Sequence, residues 1–413
     1  MFSIEGIIAD IGVRKRIEIN TVSGLISKIM DPNGNTDVVL KDELIFPGFI
    51  DLHVHAREDV SHSQDYKEDF VSAGQAAVNG GVVAFAEMPN NKIPPIDDAS
   101  YEAKNVLAQK SSVEVLLYGG IGPKTKPLHK LVPYKVFMGP SVGDLFFTNR
   151  EDLEKAVAQY KGQNISFHCE EPTILESNKQ AETHEMKRPP EAEISAVDFA
   201  LYLIEKYDIT GKICHCSTVE GINKIIEAKR RGLKVTVEVT PHHLYFSTDT
   251  KVLTDKNKMK KLQVNPPIRQ TEENRLTLIK LLKSGDIDYL ATDHAPHTRE
   301  EKEKGTSGLT HLDTYGLFVT WLMREHSFSP DEIIRICSTN PALFMNKFIS
   351  SRYGEIVEGL IGSLTILDID KKKTVTKDML KTKAQWSPFE GVTFPGSVVM
   401  TIIKGKILKN DLN

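Results

Sequence analysis

The protein has 413 residues, of which 40% are hydrophobic and 26% are charged, as is usual for a globular protein. A net charge of −4 argues against a nucleic-acid-binding protein, and no apolar run is long enough to span a membrane. The N-terminus lacks the features of a signal peptide, and four cysteines are too few for a disulfide framework, so we expect a cytoplasmic protein.

The chain begins with short β-like runs separated by turns, such as DPNGN at 31–35. From about residue 48 the rhythm changes, and short apolar runs alternate with helix-like stretches such as 190–207 and 219–231. The runs predict eight strands, at 49–55, 82–89, 113–121, 134–139, 165–171, 212–218, 234–243 and 288–297. After about residue 345 the pattern returns to β-like segments, at 362–369 and 396–408.

Eight strand–helix units spread over about 250 residues are typical of a (β/α)₈ TIM barrel. We therefore predict an α/β protein with a TIM barrel at residues 48–349. Both termini, residues 1–47 and 350–413, are predicted to pair as one small β domain that flanks the barrel.

The segment FPGFIDLHVHARED, residues 46–59, places His53 and His55 two positions apart at the end of an apolar run, with Arg57 at the same spacing. Alternate residues of a strand face the same side, so the three side chains are predicted to do so. A lone buried histidine is usually a hydrogen-bonded core residue. A pair at this spacing favours metal binding, because neutral imidazole is the commonest metal ligand.

Other coordinating side chains fall on later predicted strands. Lys135 lies on the fourth, His168 on the fifth, His215 on the sixth and Asp293 on the eighth. Active sites of TIM barrels lie at the C-terminal ends of the strands, so these residues are expected to converge there with His53 and His55 as a metal site.

Two closely spaced divalent ions would need an anionic bridge between them. An ammonium has no lone pair to offer, but a neutral lysine amine can add carbon dioxide and become a carbamate with two anionic oxygens. Lys135 is a candidate for this bridge. The alternative is an interior lysine paired with an acid.

An ordered set of motifs resembles the dihydroorotase family of the amidohydrolase superfamily. The segments are PGFIDLHVHARE (47–58), MPN (88–90), KVFMG (135–139), FHCEE (167–171), ICHCS (213–217), VEVTPHHLYFS (237–247), NPPIR (265–269), ATDHAPHTREEK (291–302) and SPFEG (387–391). The match runs in order through the whole predicted barrel and into the tail, and TDHAPH is its most discriminating piece.

The resemblance implies a centre of two Zn²⁺ ions per chain. His53, His55 and Asp293 would hold the more buried ion, His168 and His215 the second, and N6-carboxylated Lys135 would bridge them. It also implies a catalytic role for Asp293, which would carry a proton between the attacking water and the ring nitrogen. The substrate-binding residues it implies are Arg57, Asn90, Asn265, His297, Ser307 and Gly308.

The sequence departs from the family pattern in several places. HARED stands where HLREPG is more usual, and Asn91 stands where threonine is common. Some branches have a bridging aspartate instead of lysine. Asp144 is the nearest acid, although Lys135 fits the strand register better. Arg269 matches less securely, and a surface charge is the alternative for it.

Three further features are left as open predictions. The segment GPSVGDLFF (139–147) is a candidate lid over the site. Cys214 and Glu238 end adjacent strands and could hold an extra metal, although a buried free cysteine is usually a small hydrophobe. His242 and His243 are expected to fix the loop after strand seven.

The implied activity is reversible cyclisation of N-carbamoyl-L-aspartate to (S)-dihydroorotate, the third step of pyrimidine synthesis. Rivals are a hydantoinase, dihydropyrimidinase or allantoinase, whose neutral rings give Arg57 no carboxylate to bind, and an inactive scaffold for a transcarbamoylase. The expected partner is a small-molecule substrate rather than nucleic acid or membrane. A homodimer and an association with aspartate transcarbamoylase are left open.

Overall fold

The computed structural model describes residues 1–140, 145–249 and 260–412. In these ranges the strands are β1 (Phe2–Ile8), β2 (Val13–Ile19), β3 (Ile26–Met30), β4 (Val38–Pro47), β5 (Phe49–Val54), β6 (Val82–Glu87), β7 (Glu114–Leu117), β8 (Gly119–Ile121), β9 (Tyr134–Phe137), β10 (Asn164–His168), β11 (Thr210–Ile213), β12 (Val235–Val239), β13 (Tyr289–Leu290), β14 (Leu364–Asp368), β15 (Lys373–Thr374), β16 (Thr393–Phe394), β17 (Ser397–Ile403) and β18 (Lys406–Asn410).

The α-helices of the same ranges are α1 (Phe70–Asn79), α2 (Asp98–Ala108), α3 (Arg150–Val157), α4 (Pro172–Asn178), α5 (His184–Lys187), α6 (Pro190–Lys206), α7 (Val219–Arg230), α8 (Pro241–Tyr245), α9 (Glu272–Ser284), α10 (Arg299–Glu303), α11 (Tyr315–Glu325), α12 (Pro330–Ile334) and α13 (Asn340–Met345). Short 3₁₀ turns lie at Ala158–Tyr160, Leu312–Thr314 and Lys377–Met379, and a π-helical turn lies at Arg335–Thr339. None of the helices described here is long and apolar enough to cross a membrane.

Nine consecutive strands form the parallel part of the fold. β5, β6 and β7 pair in parallel, and so do β8 through β13, with only Tyr118 between β7 and β8. A parallel bridge between Val54 and His294 joins the segment after β13 to the end of β5. Helices separate most of these strands, although no described helix lies between β7 and β9, and this pattern confirms the predicted α/β barrel.

The barrel strands read as continuous apolar runs because both of their faces are covered. Every residue of β5 and of β6 is buried. The observed strands are shorter than the predicted ones at their C-terminal ends, and β13 consists only of Tyr289 and Leu290. The chain leaves the sheet early there because it turns to build the rim that carries the site residues.

The two ends of the chain meet in a seven-stranded sheet with the order β18-β17-β14-β4-β1-β2-β3. Its buried face is rich in isoleucine, including Ile4, Ile17, Ile45 and Ile366. Gly48 joins β4 to the first barrel strand, and a Cβ atom there would lie 2.4 Å from the Val83 side chain, so only glycine fits. The shared sheet fits the predicted terminal β domain, although its boundary with the barrel stays a prediction.

Candidate active site

A cleft at the C-terminal ends of the barrel strands brings together most of the predicted site residues. It is lined by His53, His55, Arg57, Asn90, Phe137, His168, His215, Val264, Asn265, Asp293, Ala295, Ser307 and Gly308. Lys135 and His297 are also predicted site residues, and both are buried, Lys135 beside Phe137 and His297 beside Arg57. Parallel strands end at one edge, which is why residues so distant in sequence meet here.

His53, His55 and Asp293 form the tightest group of potential ligands. Asp293 Oδ1 lies 3.3 Å from His53 Nε2 and 3.2 Å from His55 Nε2. Two ligands on one tetrahedral zinc ion, each about 2.0–2.1 Å from the metal, would be separated by about 3.3 Å. The three donor atoms therefore fit a single divalent ion.

A second pair of imidazoles lies beside the first group. His168 Nδ1 is 3.0 Å from His215 Nε2, and the His53 and His215 rings are 5.1 Å apart. Lys135 is fully buried nearby and donates to Cys214 Sγ at 2.8 Å. Among the described residues, Lys135 therefore hydrogen-bonds a thiol and not the carboxylate that a structural ion pair would provide.

Three histidines of this cluster are held in the form that can bind a metal. Burial lowers the pKa of His53, His55 and His215 well below the usual range, and nearby positive groups lower it further. These rings therefore keep a free nitrogen lone pair at neutral pH. Burial also raises the pKa of Asp293 to about 7, although Lys135 opposes the shift.

Each of three candidate ligands has its other ring nitrogen occupied. His53 Nδ1 contacts the Glu238 carboxylate, His55 Nδ1 donates to Asn90 Oδ1 at 2.6 Å, and His168 Nε2 contacts Glu170 Oε2 at 2.8 Å. Such partners fix the orientation of a ligand histidine and the tautomer it adopts. Sequence reasoning missed Glu170, and only its place two residues after His168 could have indicated it.

Glu238 is one of these partners of the candidate ligands. One of its oxygens contacts His53 and the other pairs with Lys212, which is as buried as Glu238 itself. Donor atoms of His53, Cys214 and Glu238 also lie within 4.8 Å of one another. An extra metal at Cys214 and Glu238 therefore stays a prediction.

The backbone conformation that places Arg57 in the cleft differs from the predicted one. Strand β5 ends at Val54, and Arg57 follows it in the left-handed region with φ of 64°. The side chain is 2% exposed, and its Nη2 lies 3.3 Å from His297 Nε2. A turn, and not strand alternation, brings the guanidinium to the pocket.

Two other site residues share this backbone feature. His215 has φ of 33° and Asp293 has φ of 49°. Side chains other than glycine rarely adopt such values, and they persist where surrounding structure enforces them, often at functional sites. Nothing in the local sequence indicates these turns.

The far wall of the cleft comes from two loops. Asn265 Oδ1 is buried without a hydrogen-bond partner among the described residues, so it is free to accept from a ligand. Gly308 has φ of 139°, and a Cβ atom there would lie 2.4 Å from the carbonyl oxygen of Ala295. Glycine is required at this position because the backbone approaches so closely.

The structure also bears on the predictions for Arg269 and His243. Arg269 is not a surface charge, because its Nη2 pairs with buried Glu193 at 3.1 Å and its Nη1 donates to the Arg188 carbonyl at 2.9 Å. His243 lies at the start of α8, where its Nδ1 contacts Thr240 Oγ1 and its Nε2 donates to the Pro266 carbonyl oxygen at 3.1 Å. That histidine does fix the loop after β12.

The candidate lid at 139–147 is only partly visible. Residues 141–144, which include the alternative bridging residue Asp144, lie outside the described residues. Neither the lid nor Asp144 is tested by the structure, and both stay predictions.

Comparison with known proteins identifies the family of the chain. Residues 44–408 match the Amidohydrolase family. The chain is 34% identical to the dihydroorotase of Pyrococcus horikoshii over 374 residues, which cover 90% of this chain and 82% of the relative. It is also 34% identical to the dihydroorotase of Thermococcus kodakarensis, over 94% of this chain and 89% of that one.

Among solved structures, the L-hydantoinase (dihydropyrimidinase) from Arthrobacter aurescens superposes with a TM-score of 0.87. The match covers 100% of this chain and 97% of that one at 23% identity, so it bears on the fold alone. The family match and the two relatives carry the assignment further: the chain belongs to the amidohydrolase family and, within it, to the dihydroorotases.

Proposed function

We propose that the protein is a dihydroorotase that interconverts N-carbamoyl-L-aspartate and (S)-dihydroorotate plus water, the third step of de novo pyrimidine synthesis. The observation that carries the proposal is the buried Arg57 guanidinium in the same cleft as the His53–His55–Asp293 cluster. A buried guanidinium needs an anion, and it can grip a carboxylate with two parallel hydrogen bonds. Dihydroorotate carries this carboxylate, whereas hydantoin, dihydrouracil and allantoin lack one.

The residues present fit a two-metal centre, and we infer that the ions are zinc. His53, His55 and Asp293 would hold one ion, His168 and His215 would hold the other, and carboxylated Lys135 would lie between them. Bound there, divalent ions polarise a carbonyl and make water more acidic. The neutral imidazoles of His53, His55 and His215 support this assignment, and so do the hydrogen-bond partners that orient the ligand rings.

Substrate binding and proton transfer are assigned to side chains of the protein. Arg57, Asn90 and His297 would hold the substrate carboxylate at one end of the cleft. Asn265 and the Ser307–Gly308 loop would hold the ring from the opposite wall, and the unpartnered Asn265 oxygen supports this role. One carboxylate oxygen of Asp293 would accept a proton from water during ring opening and deliver it to the ring nitrogen, and the reverse in ring closure.

An inactive scaffold is the less favoured function. The predicted ligands of both ions are present and buried together, whereas a scaffold would be free to lose them. We further infer a cytoplasmic enzyme, because the four cysteines are free and buried. A homodimer and a complex with aspartate transcarbamoylase remain proposals that native mass spectrometry can test.

The deciding experiment measures hydrolysis of dihydroorotate, dihydrouracil, hydantoin and allantoin by one zinc-loaded preparation, with metal content determined on the same sample. We expect turnover of dihydroorotate alone and about two metals per chain. Turnover of the neutral rings in preference to dihydroorotate would favour a hydantoinase. A metal-loaded protein that turns over none of the four would favour the scaffold.

A further inference from the structure

Two charged side chains of opposite sign lie behind His297, at the same distance from one ring nitrogen. Lys67 Nζ and Glu301 Oε2 are each 3.3 Å from His297 Nδ1. Lys67 and Glu301 pair with each other at 2.9 Å, and the Tyr66 hydroxyl donates to Glu301 at 2.7 Å. Nδ1 is thus within reach of both a donor and an acceptor.

The opposite ring nitrogen lies against Arg57, which lines the cleft. Arg57 Nη2 is 3.3 Å from His297 Nε2, and a guanidinium can only donate. In this arrangement Nε2 must therefore carry a lone pair. The proton of the neutral ring then lies on Nδ1, where Glu301 accepts it.

A bound carboxylate would reverse this requirement. Placed against Arg57 and His297, it would accept from Arg57 and leave Nε2 facing a second acceptor. Only a ring with its proton on Nε2 can donate to the carboxylate, and Nδ1 then needs a donor. Lys67 is already within reach of Nδ1.

A charged imidazolium could also donate from both nitrogens, but its surroundings disfavour it. His297 is 2% exposed, and burial together with the charges of Arg57 and Lys67 lowers its pKa far below the usual range. The ring therefore stays neutral and can donate from one nitrogen at a time.

We propose that Lys67 and Glu301 are positioning residues that allow neutral His297 to exchange tautomers when the substrate carboxylate binds. In the free enzyme Nδ1–H donates to Glu301, and Nε2 accepts from Arg57. In the complex Nε2–H donates to the carboxylate, and Nδ1 accepts from Lys67. One proton leaves Nδ1 and one binds Nε2 by exchange with water, so the charge of the ring is unchanged. The inference rests on the proposed function, because it assumes a carboxylate ligand.

Nitrogen-15 NMR of the full-length, zinc-loaded protein reads the tautomer directly. Histidine signals are recorded with and without orotate as the carboxylate-bearing probe, and a His297→Gln variant identifies those of His297. We expect the proton on Nδ1 without the probe and on Nε2 with it. The same tautomer in both states would overturn the proposal.

Lys67→Met removes the donor and leaves Glu301 as the polar partner of Nδ1. The ring should then keep its proton on Nδ1 with orotate present, and the KM for dihydroorotate should rise about tenfold or more with little change in kcat. Lys67→Arg keeps a donor and should recover most of the wild-type KM. Wild-type KM in Lys67→Met would contradict the proposal.

Lys110→Met is the matched control, because Lys110 pairs with Glu58 in the same part of the structure. It should change neither the tautomer nor KM. Circular dichroism and metal content show whether Lys67→Met has folded. If it has not, Glu301→Leu replaces Lys67→Met, and without the acceptor at Nδ1 the ring should no longer adopt Nδ1–H as its single tautomer in the absence of orotate. A tautomer change without dihydroorotate turnover would refute the proposed function only, whereas turnover with a fixed tautomer would refute this inference only.

Discussion

His53 Nε2 and Asp293 Oδ1 lie 3.3 Å apart, although they belong to the first and last strand units of the barrel. Two acceptor atoms this close repel each other unless a proton or a cation lies between them. The pair therefore links metal binding to closure of the barrel, since the β13 segment also bridges β5 at Val54.

Metal removal should consequently lower the stability of the fold as well as abolish activity. A ligand that binds only the native state raises the unfolding midpoint by mass action. Treatment with a chelator is expected to lower the midpoint in scanning calorimetry, and added zinc should restore it. His53→Asn, which loses a ligand of one of the two proposed ions, should respond less to the chelator than the wild type, whereas His129→Gln, which alters an exposed histidine, should respond like the wild type.

Arg57→Met should raise the KM for dihydroorotate while the metal content stays at the wild-type level. A hydrogen bond to a charged group contributes about 1.5–3 kcal/mol, which corresponds to roughly a tenfold to hundredfold change in binding. Steady-state kinetics with metal analysis measures both quantities. Arg324→Met, which removes a surface pair with Asp370, is the control. An unchanged KM in Arg57→Met would mean that the carboxylate binds elsewhere.

Lys135→Ala should lose metal and nearly all activity without unfolding, because the site lies at the rim of the barrel. A small carboxylic acid in excess should partly restore activity by supplying anionic oxygens where the carbamate would lie. Lys135→Arg should stay inactive, since a guanidinium keeps its charge. Native mass spectrometry of the wild type should show about one carbon dioxide adduct per chain, because two closely spaced divalent ions need an anionic bridge.

The same carboxylic acid should not stimulate the wild-type enzyme. This measurement controls for a general effect of the acid on the assay. If Lys135→Ala retained both metals and turnover, another residue would form the bridge. Asp144 would then be the first residue to replace.

Stability should rise with pH above neutrality because of Lys302. This lysine is 1% exposed, donates to the carbonyls of Gln263 and Thr306, and has a pKa that burial lowers from 10.5 to about 7. Between these values the unfolded chain binds a proton that the folded chain lacks, so the free energy of unfolding increases with pH, by at most about 1.4 kcal/mol per unit.

Lys302→Met removes this proton linkage. Urea denaturation between pH 7 and 10 should give a flatter rise in the free energy of unfolding for the variant than for the wild type. Lys304 is exposed and directly follows α10, the helix that contains Lys302, so Lys304→Met should keep the wild-type slope. Equal slopes for Lys302→Met and the wild type would show that Lys302 stays charged in the folded protein.

Much of the barrel and of its candidate ligands could be predicted from local sequence. An apolar run with a strand period is a property of neighbouring residues, and the fold brings the ends of parallel strands to one rim. His53, His55, His168, His215 and Asp293 each follow or end such a run, so their convergence needed only the order of the strands.

Tertiary structure alone decided which partners these residues have. Glu238 orients His53, and Lys67 and Glu301 flank His297, because packing brings together residues from different strand units. The positive φ angles of Arg57, His215 and Asp293 also arise from that packing, since isolated chains disfavour them. Sequence periodicity specifies which face a side chain occupies, whereas a contact across the barrel depends on the position of every strand between.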